Sequence, residues 1–260
     1  MLTPKSNNIR RIGLQSPINK MIGVLLLMAL SHSTCSQTTQ LEGGCSVYSY
    51  EESNIMQLRG PQCSLGIGIA MAMSDKSSLS LEIRRSLGAV NYSSSKYGDS
   101  VGQSQQVDDY RLLGNFKLDY FPNINPYIGL AARKLVNDSE GMATTNGSSG
   151  YLRTSTYYYV PVGFKIRLND IFKLSLEYDH MLEGKQETHS PTGLIVNKQK
   201  NGYGIFGSIM AFNEGWAIGP YVQYWAVDMS DQVLCYGGAN ICREPANFSI
   251  AYGGRLIYTF

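Results

Sequence analysis

Two histidines follow residue 36, His180 and His189, so acid–base chemistry has few places to sit in this 260-residue chain. Asp179 and His180 are neighbours, and a carboxylate that orients an imidazole is a common general-base arrangement. Both fall within "FKLSLEYDHML" (172–182), where apolar residues recur at alternate positions. Consecutive side chains of a strand point to opposite faces, so this pair cannot converge on one substrate. His189-Ser190 lies in a polar stretch with no third group to orient the imidazole, which a hydrolase pair needs. "GYGIFG" (202–207) is glycine-rich, but no helix follows it and a phosphate-cradling loop requires one. No Cys/His spacing fits a metal site, and the carboxylates are interleaved with cations. The expectation is a non-enzymatic chain with no catalytic, cofactor-binding or metal-ligating residues.

The remaining candidates are cysteines and charges. Lys5, Arg10, Arg11 and Lys20 precede the apolar run "MIGVLLLMAL" (21–30) and then "SHSTCSQ". A basic segment, a short apolar run and a small-residue zone describe a secretory signal peptide, here placed over residues 1–36. Ten apolar residues are too few to span a bilayer as a helix, which takes about 20. Cys35 follows the run closely enough to raise acylation, though "HST" before it lacks the expected context, and loss with the signal is the simpler reading. Export makes disulfides available to Cys45, Cys63, Cys235 and Cys242, with three connectivities open. Cys235 and Cys242 flank "YGGANI", which makes a local loop disulfide plausible.

The elements that must position these residues are strands. From residue 64 onward, runs of alternating apolar character follow one another: 64–73, 79–92, 107–121, 127–136, 156–168, 172–182, 202–212, 216–229 and 248–260. Short Asn, Asp, Gly and Pro-rich connections at 74–78, 122–126, 169–171 and 213–215 alternate with long polar ones at 93–106, 137–155, 183–201 and 230–247. Such a meander is the pattern of a transmembrane antiparallel up-and-down β-barrel of the outer membrane. Most runs have 10–15 residues, against about 5–6 for an ordinary strand and about 9–11 for a spanning one. Tyr120, Phe121, Phe172, Phe212, Trp216, Tyr258 and Phe260 lie near the short turns, and Tyr92, Tyr110, Tyr158, Tyr178, Tyr203, Tyr224 and Phe248 near the long loops. Two aromatic girdles of this kind mark the two membrane interfaces.

Parity sets the strand count. Short turns are periplasmic and long loops extracellular, so strand 64–73 runs inward and needs an outward strand before it. "SVYSYEESNIMQL" (46–58), followed by the turn-like "RGPQ", fills that place and makes ten strands over residues 37–260. On this reading Cys45 and Cys63 stand at opposite ends of a strand, about 40 Å apart at about 3.3 Å per residue. A disulfide between them would then exclude ten strands.

Phase assigns the lumen. Glu82, Arg84, Asp109, Arg111, Lys117, Asp119, Lys165, Arg167, Lys173, Glu177, Asp179, Gln223 and Arg255 face inward, because a lipid-facing Arg or Lys costs about 2–4 kcal/mol at the midplane. Arg85 falls outward in phase, which implies a bulge or a misplaced strand. Ten strands enclose little more than the eight that side chains can fill, so a packed charge network is expected rather than an open pore. The charge balance, 22 Lys+Arg against 20 Asp+Glu with no basic block, gives no nucleic-acid footprint.

"YYYVPVGFKIRL", "LSLEYDHMLEGKQETH", "NKQKNGYGIFGSI", "GPYVQYWAV" and "EPANFSIAYGGRLIYTF" together resemble, over residues 107–260, a family of uncharacterised bacterial outer-membrane β-barrel proteins. "VYSYEES" is a fainter echo of their first strand. The resemblance implies a small barrel of about ten strands in a Gram-negative bacterium, and implies no activity. Phe206 and Met210 stand where the family pattern leads one to expect charged lumen residues. A terminal aromatic after alternating hydrophobics, here Tyr258 and Phe260, resembles the signal read by the outer-membrane assembly machinery. The Asp179-His180 pair also invites comparison with ten-stranded outer-membrane proteases, without the shared facing such a site needs. The expected role is a surface, adhesion or envelope-integrity protein with four long loops. Its partners would be outer-membrane lipid, the assembly machinery and a host or surface ligand, with no nucleic acid. A narrow porin-like channel and a barrel-mouth hydrolase are the alternatives.

Overall fold

The structure, a computed structural model, describes residues 36–260 other than 191, 192, 236, 237 and 239. The expected signal peptide, with Cys35, therefore lies outside the described residues. The strands are β1 (Gln37–Glu52), β2 (Met56–Ser74), β3 (Ser77–Ser93), β4 (Ser100–Phe116), β5 (Ile124–Asp138), β6 (Leu152–Arg167) and β7 (Phe172–Ser190). They continue with β8 (Gly193–Gln199), β9 (Gly202–Asn213), β10 (Trp216–Val227), β11 (Val233–Cys235), β12 (Asn240–Cys242) and β13 (Asn247–Thr259). Strands β1 to β7 pair in chain order, β7 passes the sheet to β9, β9 to β10, β10 to β13, and β13 closes on β1. β8 and β9 lie end to end against the long β7, so they form one stave and the closed antiparallel barrel has ten. Closure leaves no edge unpaired through the belt, a condition for crossing a bilayer with strands, while above it β8 pairs only with β7.

Strand β10 shows how alternation builds the wall. Trp216, Ile218 and Val222 are exposed on the outside, while Ala217, Gln223, Trp225 and Val227 are buried within. The same rule exposes Leu65, Ile67, Ile128, Leu130, Val162, Phe164, Leu176, Ile205 and Ile209 in one outer band. An apolar surface of this extent would be strongly unfavourable in water and is matched by lipid. Ring contacts rim the band: Tyr178 stacks on Tyr203 and Tyr224 on Phe248 above, with Tyr203 tilted against Tyr224, and below Trp216 is tilted on Tyr258, which meets Phe260 edge-on. Trp216 and Tyr224 are eight residues apart, about 26 Å along the strand or about 20 Å in height at the usual tilt, which fits within a membrane belt. The Phe260 amide donates to the Thr39 carbonyl at 2.9 Å, so the last residue is held against β1.

The first hairpin corrects the strand expected at 46–58. The chain turns within it, at 53–55, and the spanning strand is Gln37–Glu52. Asn54 adopts φ 62, a left-handed conformation that Asn tolerates, and the Ile55 amide closes the turn on the Glu52 carbonyl at 2.9 Å. "RGPQ", which has turn composition, continues as strand. Pro61 has no amide to donate, and Gly60 and Gly88 let β2 and β3 approach there: a Cβ on Gly60 would lie 2.1 Å from the Ala89 carbonyl oxygen. Cys45 and Cys63 thus stand directly opposite each other on β1 and β2 and form a disulfide, with Cα atoms 4.0 Å apart. A disulfide and ten strands coexist because the turn sits between the two cysteines.

Two further expectations change. Most of the polar sequence at 183–201, about half of 93–106 and the ends of 137–155 are strand, because β3 to β8 run on above the upper girdle. From Tyr178 to Ser190 the wall rises about 40 Å along β7, or about 30 Å in height at the usual tilt. Above the membrane both faces of a strand are polar, so the sequence loses its apolar alternation while the ladder continues. At the other end β4 stops at Phe116, and Lys117 and Asp119 lie in the connection to β5 instead of the lumen. Asp119 forms an exposed ion pair with Lys76 at 2.6 Å.

Candidate functional site

The barrel interior divides into a packed extracellular half and a charged, partly open periplasmic half. Tyr48, Tyr50, Met56, Leu58 and Val90 form one buried cluster at the top, and Val107, Leu135, Tyr157, Met181 and Val227 another. Trp225 sits between Tyr157, stacked with centroids 6.0 Å apart, and Tyr159, edge-on at 5.0 Å. The Arg133 guanidinium lies 5.5 Å from the Trp225 ring. Luminal Gln186, Asn197 and Gln199 are buried in the extended wall above.

Polar struts cross the lumen between these clusters. Arg153 on β6 reaches Glu52 on β1 at 2.6 Å, and the Tyr50 hydroxyl donates to the same carboxylate at 2.9 Å. β1 and β6 are five staves apart in a barrel of ten, so this pair spans the diameter. Gln223 on β10 accepts from Arg133 on β5 at 3.2 Å and from Arg84 on β3 at 3.3 Å. Asp109 holds Arg84 at 3.0 Å and Arg133 at 3.1 Å. Arg111 joins Glu177 on β7 and, at 3.3 Å, Glu82 on β3. Buried charges persist when each is paired and hydrogen-bonded; every charge named in this network has an opposite partner, while Nε of Arg111 and Nε of Arg133 are buried without an acceptor.

Of the residues expected in the lumen, Glu82, Arg84, Asp109, Arg111, Lys165, Glu177, Gln223 and Arg255 sit there, with Arg167 and Lys173 close to the lower rim. Asp179 is fully buried beside Glu177, against Gly204 and the Trp225 edge. His180, its neighbour, faces out and is exposed, and His189 is exposed on the extended part of β7. The two halves of the Asp179-His180 dipeptide stand on opposite sides of the wall. Phe206 and Met210 are buried inside, so β9 presents an apolar strip to the lumen. Arg85 does point outward, with no bulge at that position, and Asp108 on the next strand takes its guanidinium at 2.6 and 3.1 Å.

Sequence reading missed Glu42, Glu52, Arg133 and Arg153. Glu42 and Glu52 belong to a first strand placed nine residues too late, and Arg153 sits in a segment with loop composition. Arg133 alone had a detectable signal, because it follows in phase from Tyr127 and Ala131 on the same strand.

The loops above are tied to one another. Thr145 in the β5–β6 loop donates its amide to the Asp99 carbonyl at 2.9 Å, and its hydroxyl accepts from the Asp99 amide at 3.0 Å. In the β10–β13 loop the Asp231 amide donates to the Lys198 carbonyl at 2.9 Å, and its carboxylate accepts from the Lys198 amide at 2.7 Å. Cys235 and Cys242 are disulfide-bonded across the β11–β12 hairpin. Glu244 is largely buried near Glu52 and Arg153, and burial raises its carboxyl above the usual range although Arg153 opposes the shift.

No family model matches the chain, and no curated protein matches it. Among solved structures it is similar to the outer-membrane protease OmpT from Escherichia coli, with a TM-score of 0.56 and 12% identity over 88% of this chain and 99% of that one. The chain is an outer-membrane β-barrel. The translocator domain of the autotransporter NalP from Neisseria meningitidis gives a TM-score of 0.44 at 10% identity, covering 94% of this chain and 96% of that one. Ail of Yersinia pestis gives 0.38 at 9% identity, covering 86% and 99%. At such identities the shared property is the fold, and fold alone does not assign an activity.

Proposed function

We propose that this barrel is a non-conducting, non-enzymatic surface protein that presents a rigid extracellular β-wall and its tied loops to a host or surface ligand. The observation that carries this reading is the filled upper lumen, where Tyr157, Tyr159, Trp225 and the Arg153–Glu52 strut occupy the path a solute would take. The hydrogen bonds that tie loop to loop and loop to β8 support the display part of the reading, since a preordered surface loses less entropy on binding. The first test is a planar-bilayer recording of the refolded barrel beside a detergent blank. A silent membrane, with heat-modifiable migration showing that the barrel is folded, is the expected result. Reproducible discrete steps would overturn it in favour of a narrow channel. Binding of barrel-bearing vesicles to immobilised extracellular-matrix or envelope components, lost on exchange of the 139–151 loop, tests the display role.

A further inference from the structure

Below the packed half the lumen opens into a cavity of about 220 Å³ near the short-turn end. One side of it is electrostatically settled: Glu42 takes Arg84 at 3.7 Å and Arg255 at 3.5 Å, and Glu82 takes Arg111. The opposite side is not. Lys165 on β6 and Lys173 on β7 line it, and Arg167, directly across from Lys173 in the ladder, stands at the rim below. Among the described residues none of these three cations has an acidic partner within ion-pair distance. Like charges placed opposite each other across a sheet repel, so the arrangement favours a counter-anion. Two further donors point the same way, since Nε of Arg111 and Nε of Arg255 are buried in the cavity wall without an acceptor.

The rest of the wall mixes polar residues, Gln40 and Ser175 among them, with an apolar strip. Phe206, Met210 and Phe212 line it from β9, with the Lys173 ammonium 3.8 Å from the Phe212 ring centroid. Gly66 and Gly68 on β2 keep the facing wall low. A ligand that suits both surfaces carries a compact anionic group and a short hydrocarbon part.

We propose that this chamber is a binding site for a small organic phosphate entering from the periplasmic side. Its phosphoryl oxygens accept hydrogen bonds from Lys165 and Lys173, with Arg167 adding positive charge at the rim, and its hydrocarbon part rests on Met210. Three clustered cations match a phosphate better than a single carboxylate, because each phosphoryl oxygen can accept a charge-assisted bond. A soluble metabolite and the headgroup of an inner-leaflet phospholipid share this chemistry.

Calorimetric titration of the full barrel in non-ionic micelles with butyl phosphate tests the site. One saturable equivalent is expected, with affinity falling about tenfold for each lysine removed in the K165Q and K173Q variants and in their double variant. Butyltrimethylammonium should give no heat. Competition by glycerol phosphate assigns a soluble source, and competition only by lysophosphatidylglycerol assigns a lipid one; both agree with the site. Absence of saturable binding, or equal affinity in wild type and the lysine variants, would overturn it. If the double variant lacks the folded band on gels, K165Q alone at its exposed position carries the test.

Discussion

Replacing Arg153 with Met leaves the Glu52 carboxylate buried at the top of the lumen with only the Tyr50 hydroxyl to hold it. Both members of the pair are nearly closed to solvent, with side chains 6% and 7% exposed. Removing one partner of a buried ion pair costs about 3–5 kcal/mol, because the other charge keeps its desolvation penalty. The surviving Tyr50 bond at 2.9 Å places this case at the lower end, about 3 kcal/mol or roughly 150-fold in the folding equilibrium. Glu52→Leu should cost less, since Arg153 retains Glu244 as a nearby acid. The double variant, Glu52→Leu with Arg153→Met, should return to within about 1 kcal/mol of wild type, as apolar replacements of whole buried pairs do. Urea midpoints of the refolded barrel in micelles, read by heat-modifiable mobility, measure all three. The reasoning fails if Arg153→Met costs under about 1 kcal/mol, or if the double variant is as unstable as the worse single one.

Truncating Tyr159 and Trp225 together to Ala removes the two rings that close the lumen beside Arg133. Discrete conductance is expected from that variant and not from wild type in planar bilayers. Gly98 has φ +81, and an added Cβ would lie 2.5 Å from Thr145 Oγ1, so Gly98→Ala should loosen the two loops it joins. Faster protease cleavage within 139–151, at unchanged barrel stability, is the expected readout. Glu244 is raised by burial, so the docked loop favours its protonated form. That contribution is complete below the ordinary glutamate range and is lost as pH rises through the elevated value. Amide exchange at Lys198 and Asp231 should therefore quicken from mildly acidic to neutral pH, beyond the intrinsic change, and a Glu244→Gln variant should lose this dependence.

The membrane belt was readable residue by residue. Trp216, Ile218, Val222 and Tyr224 alternate with Ala217, Gln223 and Trp225 because β10 has lipid on one face and the lumen on the other, and that contrast is written into side-chain polarity. Tyr258 and Phe260 are legible for the same reason. Legibility ended where the contrast ends. Residues 183–190 and 193–199 face water outside and polar Gln and Asn inside, so hydropathy carries no period there and the strands read as loops. The β1–β2 turn was missed because its signal is one Asn in a left-handed conformation, weaker than the Gly-Pro of residues 60 and 61 that lies within β2.

The sequence by itself determined the class of fold, the sign of each face in the bilayer and the pool of charges that must turn inward, since single-residue transfer energies decide these. Only the tertiary structure decided which charges meet. Arg153 and Glu52 are 101 positions apart and join because ten staves close into a ring that brings β6 opposite β1. Lys165, Arg167 and Lys173 meet no acid within ion-pair distance among the described residues, while Glu42 and Glu82 pair with the arginines. Both outcomes depend on distances across the barrel, which no local pattern encodes.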